Sequence, residues 1–278
     1  MEIVRNYIPG SEWLYLKIYT GIKTSDILLE EAIQPLIKYF LNNDLIKKWF
    51  FIRYNDPKPH LRIRFELSDL TYYNEILSKI QNTFRPYTES GEIANFRIDS
   101  YTRELERYGT ETMEAAECLF YENSDFFLKE CLHLDDEEKI IISLFYIDQI
   151  LALLNRSTHD KLLWIKDFND GFKKEFNADK NLNSQLDKKY RLFKPKYIEF
   201  IESEEYDDFR GKVEAHILQL NPIFENLVFN TVSSKYFFQS IFHMNINRMF
   251  VSNQRLFEMI IYDYLFRYYK TISFSEQK

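Results

Sequence analysis

Before Gly109 stretches of alternating apolar residues are interleaved with stretches of helical spacing; after it periodic helical segments follow one another with short breaks. Trp13 to Tyr19 alternates, with Leu14, Leu16 and Ile18 pointing one way, and reads as a first strand. Thr24, Ser25 and Asp26 offer a helix start. Helical spacing then runs from Ile27 to Leu41, with Pro35 either kinking that helix or delaying its start. Trp49 to Tyr54 is aromatic and β-branched, and Asp56, Pro57 and Pro59 break it as a turn would. From Leu61 to Leu67 the alternation is strict: Leu61, Ile63, Phe65 and Leu67 share one face, and Arg62, Arg64 and Glu66 the other. Asp69 caps a helix over about 70–84, and a further strand falls near 95–102. The order β-α-β-β-α-β is the ferredoxin-like pattern.

Beyond Gly109 helices are expected at about 111–132, 135–155, 158–174, 184–203, 206–219, 233–250 and 254–270. Breaks fall at Asp135–Asp136, Ser157–Thr158 and Pro222, and Ser233 and Ser234 offer caps for the helix carrying His243. The expected class is α+β: one domain, 1–278, with a ferredoxin-like half over about 1–108 packed against a mostly helical half over about 109–278. The active surface is expected at their junction.

Composition narrows the chemistry. Only 6 glycines occur, and no GxGxxG or Walker-type motif is present, which nearly excludes a Gly-rich phosphate loop. The net charge of −7 gives no electrostatic reason to expect nucleic-acid binding. Cys118 and Cys131 lack CxxC spacing and fit a reducing cytoplasm. The N-terminus lacks the apolar core of a signal peptide, and no apolar run approaches the ~20 residues that span a bilayer. A cytoplasmic chain without membrane insertion is expected. No HExxH or close acidic triad suggests a metal, and no GxSxG elbow suggests a serine nucleophile.

Three segments carry candidate chemistry. In WFFIRYNDPKPHLRIRF, Arg62 and Arg64 stand side by side on a strand with Arg53 across the hairpin. Like charges so placed call for an anionic partner: Glu66, another internal carboxylate, water, or a substrate carboxylate held bidentately. In RELERYG, Glu104 and Arg107 become neighbours on a helical turn, as a solvated surface pair or as part of a site. Glu114 and Glu117 follow, facing arginines or water. In HMNINR, His243 and Asn247 share a helix face. There His243 is a core residue or a general acid/base oriented by an amide. His60 reads as a turn residue.

Together and in this order, WFFIRYNDPKPHLRIRF, RELERYG followed by EAAECLF, and FHMNINRMF strongly resemble the C-terminal elimination domain of class I lantibiotic dehydratases. That family includes thiopeptide-type bacteriocin biosynthesis proteins, some free-standing, and the resemblance runs from about Trp13 to the last helix. It implies a lyase that expels glutamate from glutamylated Ser or Thr of a ribosomally made precursor peptide, leaving dehydroalanine or dehydrobutyrine. A separate glutamylation enzyme, using glutamyl-tRNA, would supply the ester. By the family's pattern the catalytic residues are Arg62, Arg64, Glu104, Arg107 and His243. Arg53, Asn247 and Arg248, beside them in the same segments, are the candidate substrate-binding residues, and no metal or cofactor is expected. The implied partners are the precursor peptide and the glutamylation enzyme, without direct tRNA binding; a homodimer stays open. Two positions depart from the pattern: Thr110 stands where a second glycine is usual, and Asn123 where an aspartate commonly precedes the serine. The alternatives are a thiopeptide-type pyridine synthase, joining two dehydroalanines in a formal cycloaddition, and a non-catalytic peptide-binding subunit.

Overall fold

The computed structural model describes residues 3–230 and 232–276. In chain order the elements are β1 (Asn6–Tyr7), β2 (Trp13–Thr20), α1 (Thr24–Leu28), a π-helical turn (Leu29–Ile33), α2 (Gln34–Asn42), β3 (Ile46–Asn55) and β4 (Pro59–Leu67). Then come α3 (Tyr73–Glu89), β5 (Ile93–Asp99), β6 (Tyr101–Thr102), α4 (Leu105–Tyr108) and α5 (Met113–Phe126). The helices α6 (Asp136–Leu153), α7 (Thr158–Glu175), α8 (Lys180–Glu202), α9 (Asp207–Gln219), α10 (Asn221–Glu225), α11 (Ser234–Met249) and α12 (Gln254–Glu276) complete the chain.

The chain divides into two compact units, residues 1–133 with 223–252, and residues 134–222 with 253–278. The first holds a four-stranded antiparallel sheet in the order β3-β4-β2-β5. That is the ferredoxin-like order the alternation predicts, and the class is α+β. Register puts Leu14, Leu16 and Ile18 opposite Phe65, Ile63 and Leu61. All six are buried, each contributing about 1.5–3 kcal/mol relative to exposure. Phe40 of α2 meets Phe65 edge-on at 5.6 Å, and Phe84 of α3 meets Phe96 of β5 at 5.6 Å. Helices α2 and α3 therefore cover this face.

The strand expected over 95–102 splits: β5 joins the main sheet, whereas β6 pairs with β1 in a small ribbon. Pro35 neither kinks nor delays a continuous α-helix. The π-helical turn precedes it, and Pro35 sits in the first turn of α2, where its missing N–H is tolerated.

Strand β3 lies at the sheet edge, and helices α5 and α11 pack on it. Its outward backbone groups are met by side chains: Phe51 N–H donates to Ser124 Oγ at 3.3 Å. The Asn247 amide accepts from Arg53 N–H at 2.8 Å and donates to Arg53 C=O at 2.9 Å. One asparagine thus substitutes for a neighbouring strand.

The second unit is helical, and α12 packs on α6, α7 and α8. Asp263 of α12 is fully buried but held by Lys173 at 2.7 Å and Arg267 at 2.6 Å. Asp135 and Glu138 form a reciprocal cap that starts α6. No helix among the described residues is long and apolar enough to cross a membrane.

Candidate active site

All eight candidate residues fall within the first unit. The pleat gives the sheet a second, polar face. Tyr15, Lys17 and Tyr19 of β2 lie opposite Arg64, Arg62 and His60 of β4, and opposite Asp99, Arg97 and Asn95 of β5. Lys17 is paired with Asp99. Glu66 pairs with Lys48 at 3.0 Å, and is therefore not the counter-ion of the two arginines. Neither Arg62 nor Arg64 has a carboxylate in ion-pair range among the described residues.

Aromatic rings hold both guanidiniums instead. Arg62 lies over Tyr54, 3.4 Å from the ring centroid. Arg64 sits among Tyr15 at 4.3 Å, Tyr101 at 4.8 Å and Phe50 at 5.2 Å. Stacking of this kind orients a guanidinium through its faces and leaves its in-plane donors unspent. Arg62 gives only Nε–H, to His60 Nε2 at 3.1 Å. That nitrogen must accept, so His60 Nδ1–H donates to the Lys58 carbonyl at 2.8 Å. A neutral imidazole is required, and burial, aided by Arg62 and Lys17, holds His60 below its ordinary pKa. His60 is thus a buried support for Arg62 within β4.

Glu104 stands at the start of short helix α4, which carries Arg107. Gly109 ends it at φ +79°, a left-handed conformation that suits glycine. Arg107 reaches Glu104 at 3.4 Å, and both are exposed. Such a pair adds little stability, but Arg107 Nε also donates to Ser240 Oγ of α11 at 3.2 Å. Ser240 lies one helical turn before His243, which is half-buried. The structure thereby ties Arg107 to the helix that carries His243. Sequence reasoning missed Ser240; the only available signal was its i, i+3 spacing from His243. Among the neighbouring acids, Glu114 is exposed, whereas Glu117 is fully buried. Glu117 accepts from Arg103 Nε at 2.8 Å and Nη2 at 2.7 Å, and from Tyr101 Oη at 2.8 Å.

Arg53, Asn247 and Arg248 stand elsewhere. Register pairs Arg53 with Leu61, so it points to the sheet face opposite Arg62 and Arg64. It meets Asp26 at 2.6 Å and donates to Ser25 Oγ at 2.8 Å and to the Arg248 carbonyl at 3.0 Å. Arg248 is fully buried and donates to Ser124 Oγ at 2.8 Å and to the Met244 carbonyl at 3.0 Å. With Asn247 on the β3 backbone, these residues lock α1, β3, α5 and α11 together. Among the described residues no cluster of His, Cys, Asp and Glu could hold a metal ion.

The profile of a family described as lantibiotic biosynthesis dehydratase C-term matches residues 13–269. The chain is 36% identical over 122 residues to the nisin biosynthesis protein NisB of Lactococcus lactis subsp. lactis, covering 43% of this chain and 12% of that protein. It is 34% identical over 118 residues to the subtilin biosynthesis protein SpaB of Bacillus subtilis, covering 42% of this chain and 11% of that protein. These matches thus take in about an eighth or less of the curated relatives' length. Among solved structures, the tRNA dependent lantibiotic dehydratase MibB from Microbispora sp. 107891 aligns with a TM-score of 0.63 at 18% identity, over 97% of this chain and 29% of that one. TsrL aligns with a TM-score of 0.65 at 12% identity, over 95% of each chain. TbtD, a pyridine synthase from thiomuracin biosynthesis, aligns with a TM-score of 0.60 at 12% identity, over 94% of this chain and all of that one. At these identities the structural likeness speaks for the fold.

Proposed function

The chain belongs to the lantibiotic biosynthesis dehydratase C-terminal family, and on that premise we propose that it eliminates glutamate from O-glutamylated Ser or Thr of a precursor peptide. The observation that carries this reading is the pair Arg62 and Arg64, stacked on aromatic rings on one sheet face without a protein carboxylate among the described residues. A glutamyl ester supplies a free carboxylate and, on cleavage, a second one. Bidentate arginine contacts suit both.

In the elimination a base removes the α-proton, whose electron pair forms the Cα=Cβ bond. The Cβ–O bond breaks, and glutamate departs with that electron pair as a carboxylate. Arg62 and Arg64 bind the glutamyl carboxylates, and Arg107 meets the carbonyl oxygen on which enolate charge develops. Glu104 and Ser240 hold Arg107 in place. His243 takes the α-proton or protonates the departing group. The precursor peptide and a separate tRNA-dependent glutamylation enzyme are the proposed partners.

The test is mass spectrometry of an O-glutamylated peptide with its leader, incubated with the protein but without tRNA or ATP. Loss of glutamate with gain of a dehydro residue is expected, and the His243→Ala variant should leave the ester intact. A second reading, pyridine synthesis, draws on the likeness to TbtD over that chain's full length. It predicts an untouched ester and a cyclised product from a bis-dehydroalanine peptide.

A further inference from the structure

Helix α8, within the second unit, carries its charges against its own dipole. Lys180 opens it, Lys188, Lys189 and Arg191 follow, and Glu199 and Glu202 stand in its last turn. A helix C-terminus favours cations and disfavours carboxylates, so the stability of α8 does not account for this order. Lys188, Lys189, Glu199 and Glu202 are exposed and make no ion pair among the described residues.

One exposed stripe sets these charges in a row. Lys188, Leu192, Pro195, Glu199 and Glu202 follow at alternating steps of four and three residues, the spacing of a seam between helices. Leu192, 72% exposed, is the most exposed large apolar side chain among the described residues. Beside Glu199 lies a groove of about 560 Å³. Ile141, Phe200, Tyr206 and Phe209 give it an apolar lining, and Asp135, Glu138 and Glu199 an acidic one. The one basic side chain that lines it, Lys196, is held by Glu137 at 2.5 Å. Such a groove fits an apolar side chain flanked by cations. Leu192, among Lys188, Lys189 and Arg191, has that character. It stands two helical turns from Glu199, roughly 10 Å along the same rigid helix, so only another molecule can bring a Leu192 to the groove.

We propose that α8 is the interface of a two-fold dimer, in which a second copy of this chain lays its own α8 antiparallel on the first. With the axis beside Pro195, Lys188 of each copy faces Glu202 of the other, and Leu192 of each enters the other's groove next to Glu199. Every contact occurs twice, as an isologous interface requires. Antiparallel packing also sets the carboxylates at each helix end against the cations of the facing helix.

The experiment is sedimentation of the full chain at low and high salt, with circular dichroism to check the fold. It compares wild type, Leu192→Glu, Lys188→Glu, Glu202→Lys and an equimolar mixture of the last two. Wild type should form a dimer of micromolar dissociation constant that loosens in high salt. Leu192→Glu should be monomeric. Lys188→Glu and Glu202→Lys should each raise the dissociation constant about 10-fold or more, because two repulsions replace two attractions. Their mixture should pair as a heterodimer with near-wild-type affinity, a result that decides the matter even if Leu192→Glu fails to fold. A monomeric wild type would overturn the proposal, even one that bound a glutamylation enzyme through this face. A dimer that the variants leave intact, or a mixture no tighter than its components, would overturn it too.

Discussion

Arg53 and Arg64 stand on opposite faces of one hairpin, and their donors are used differently. Arg53 spends its donors on Asp26, Ser25 and the Arg248 carbonyl, in a network that ties helices to the sheet edge. Arg64 is nearly as buried, yet its close neighbours are the rings of Tyr15, Tyr101 and Phe50, and Nε is left unpaired. Burial alone does not separate a structural arginine from a binding one. The difference is whether the surroundings consume the N–H groups or only aim them.

The same substitution on the two faces gives the sharpest test. Arg64→Met keeps an apolar chain against Tyr15 and Tyr101 but offers no donor. It should slow glutamate release about 1,000-fold, roughly 4 kcal/mol in the barrier, while urea unfolding shows no loss of stability. Arg53→Met should do the reverse. It strands the partly exposed Asp26 carboxylate and frees the Ser25 and Arg248 groups. The expected cost is about 2–3 kcal/mol of folding stability, with near-normal turnover in the protein that remains folded. Equal losses of stability in both variants would erase the contrast. The smallest effect is expected from Asn247→Ala, which removes the two amide bonds to the β3 backbone. Stability should fall by about 1–2 kcal/mol, and hydrogen exchange at the Arg53 amide should accelerate; unchanged exchange would mean that the edge is closed by something else.

Much of this division is absent from the sequence pattern. Strict alternation over Leu61–Leu67 put Arg62 and Arg64 on one face, and the pairing of β4 with β2 agrees. Strand β3 reads WFFIR, apolar on both faces, with Phe50 against Phe120 and Phe51 against Phe127, so alternation could not assign Arg53. Its face follows from the hairpin register, set by a turn over residues 56–58 that periodicity does not encode. The spacing of His243 and Asn247 was legible, but the asparagine's partner lies on a strand far back in the chain. Aromatic residues were countable; that Tyr15, Phe50 and Tyr101 converge on one guanidinium depends on the distance between strands and ribbon.

The bond between Arg53 and Asn247 joins residues 194 positions apart. A chain made from its N-terminus completes β2 to β5 long before α11 exists, and residues 134–222, which fold into the other unit, must be made in between. Throughout that interval the outer edge of β3 lacks the amide that closes it, and an uncovered strand edge invites pairing with other chains. The vulnerable period of a nascent molecule is therefore set by the time spent synthesising helices that take no part in the sheet.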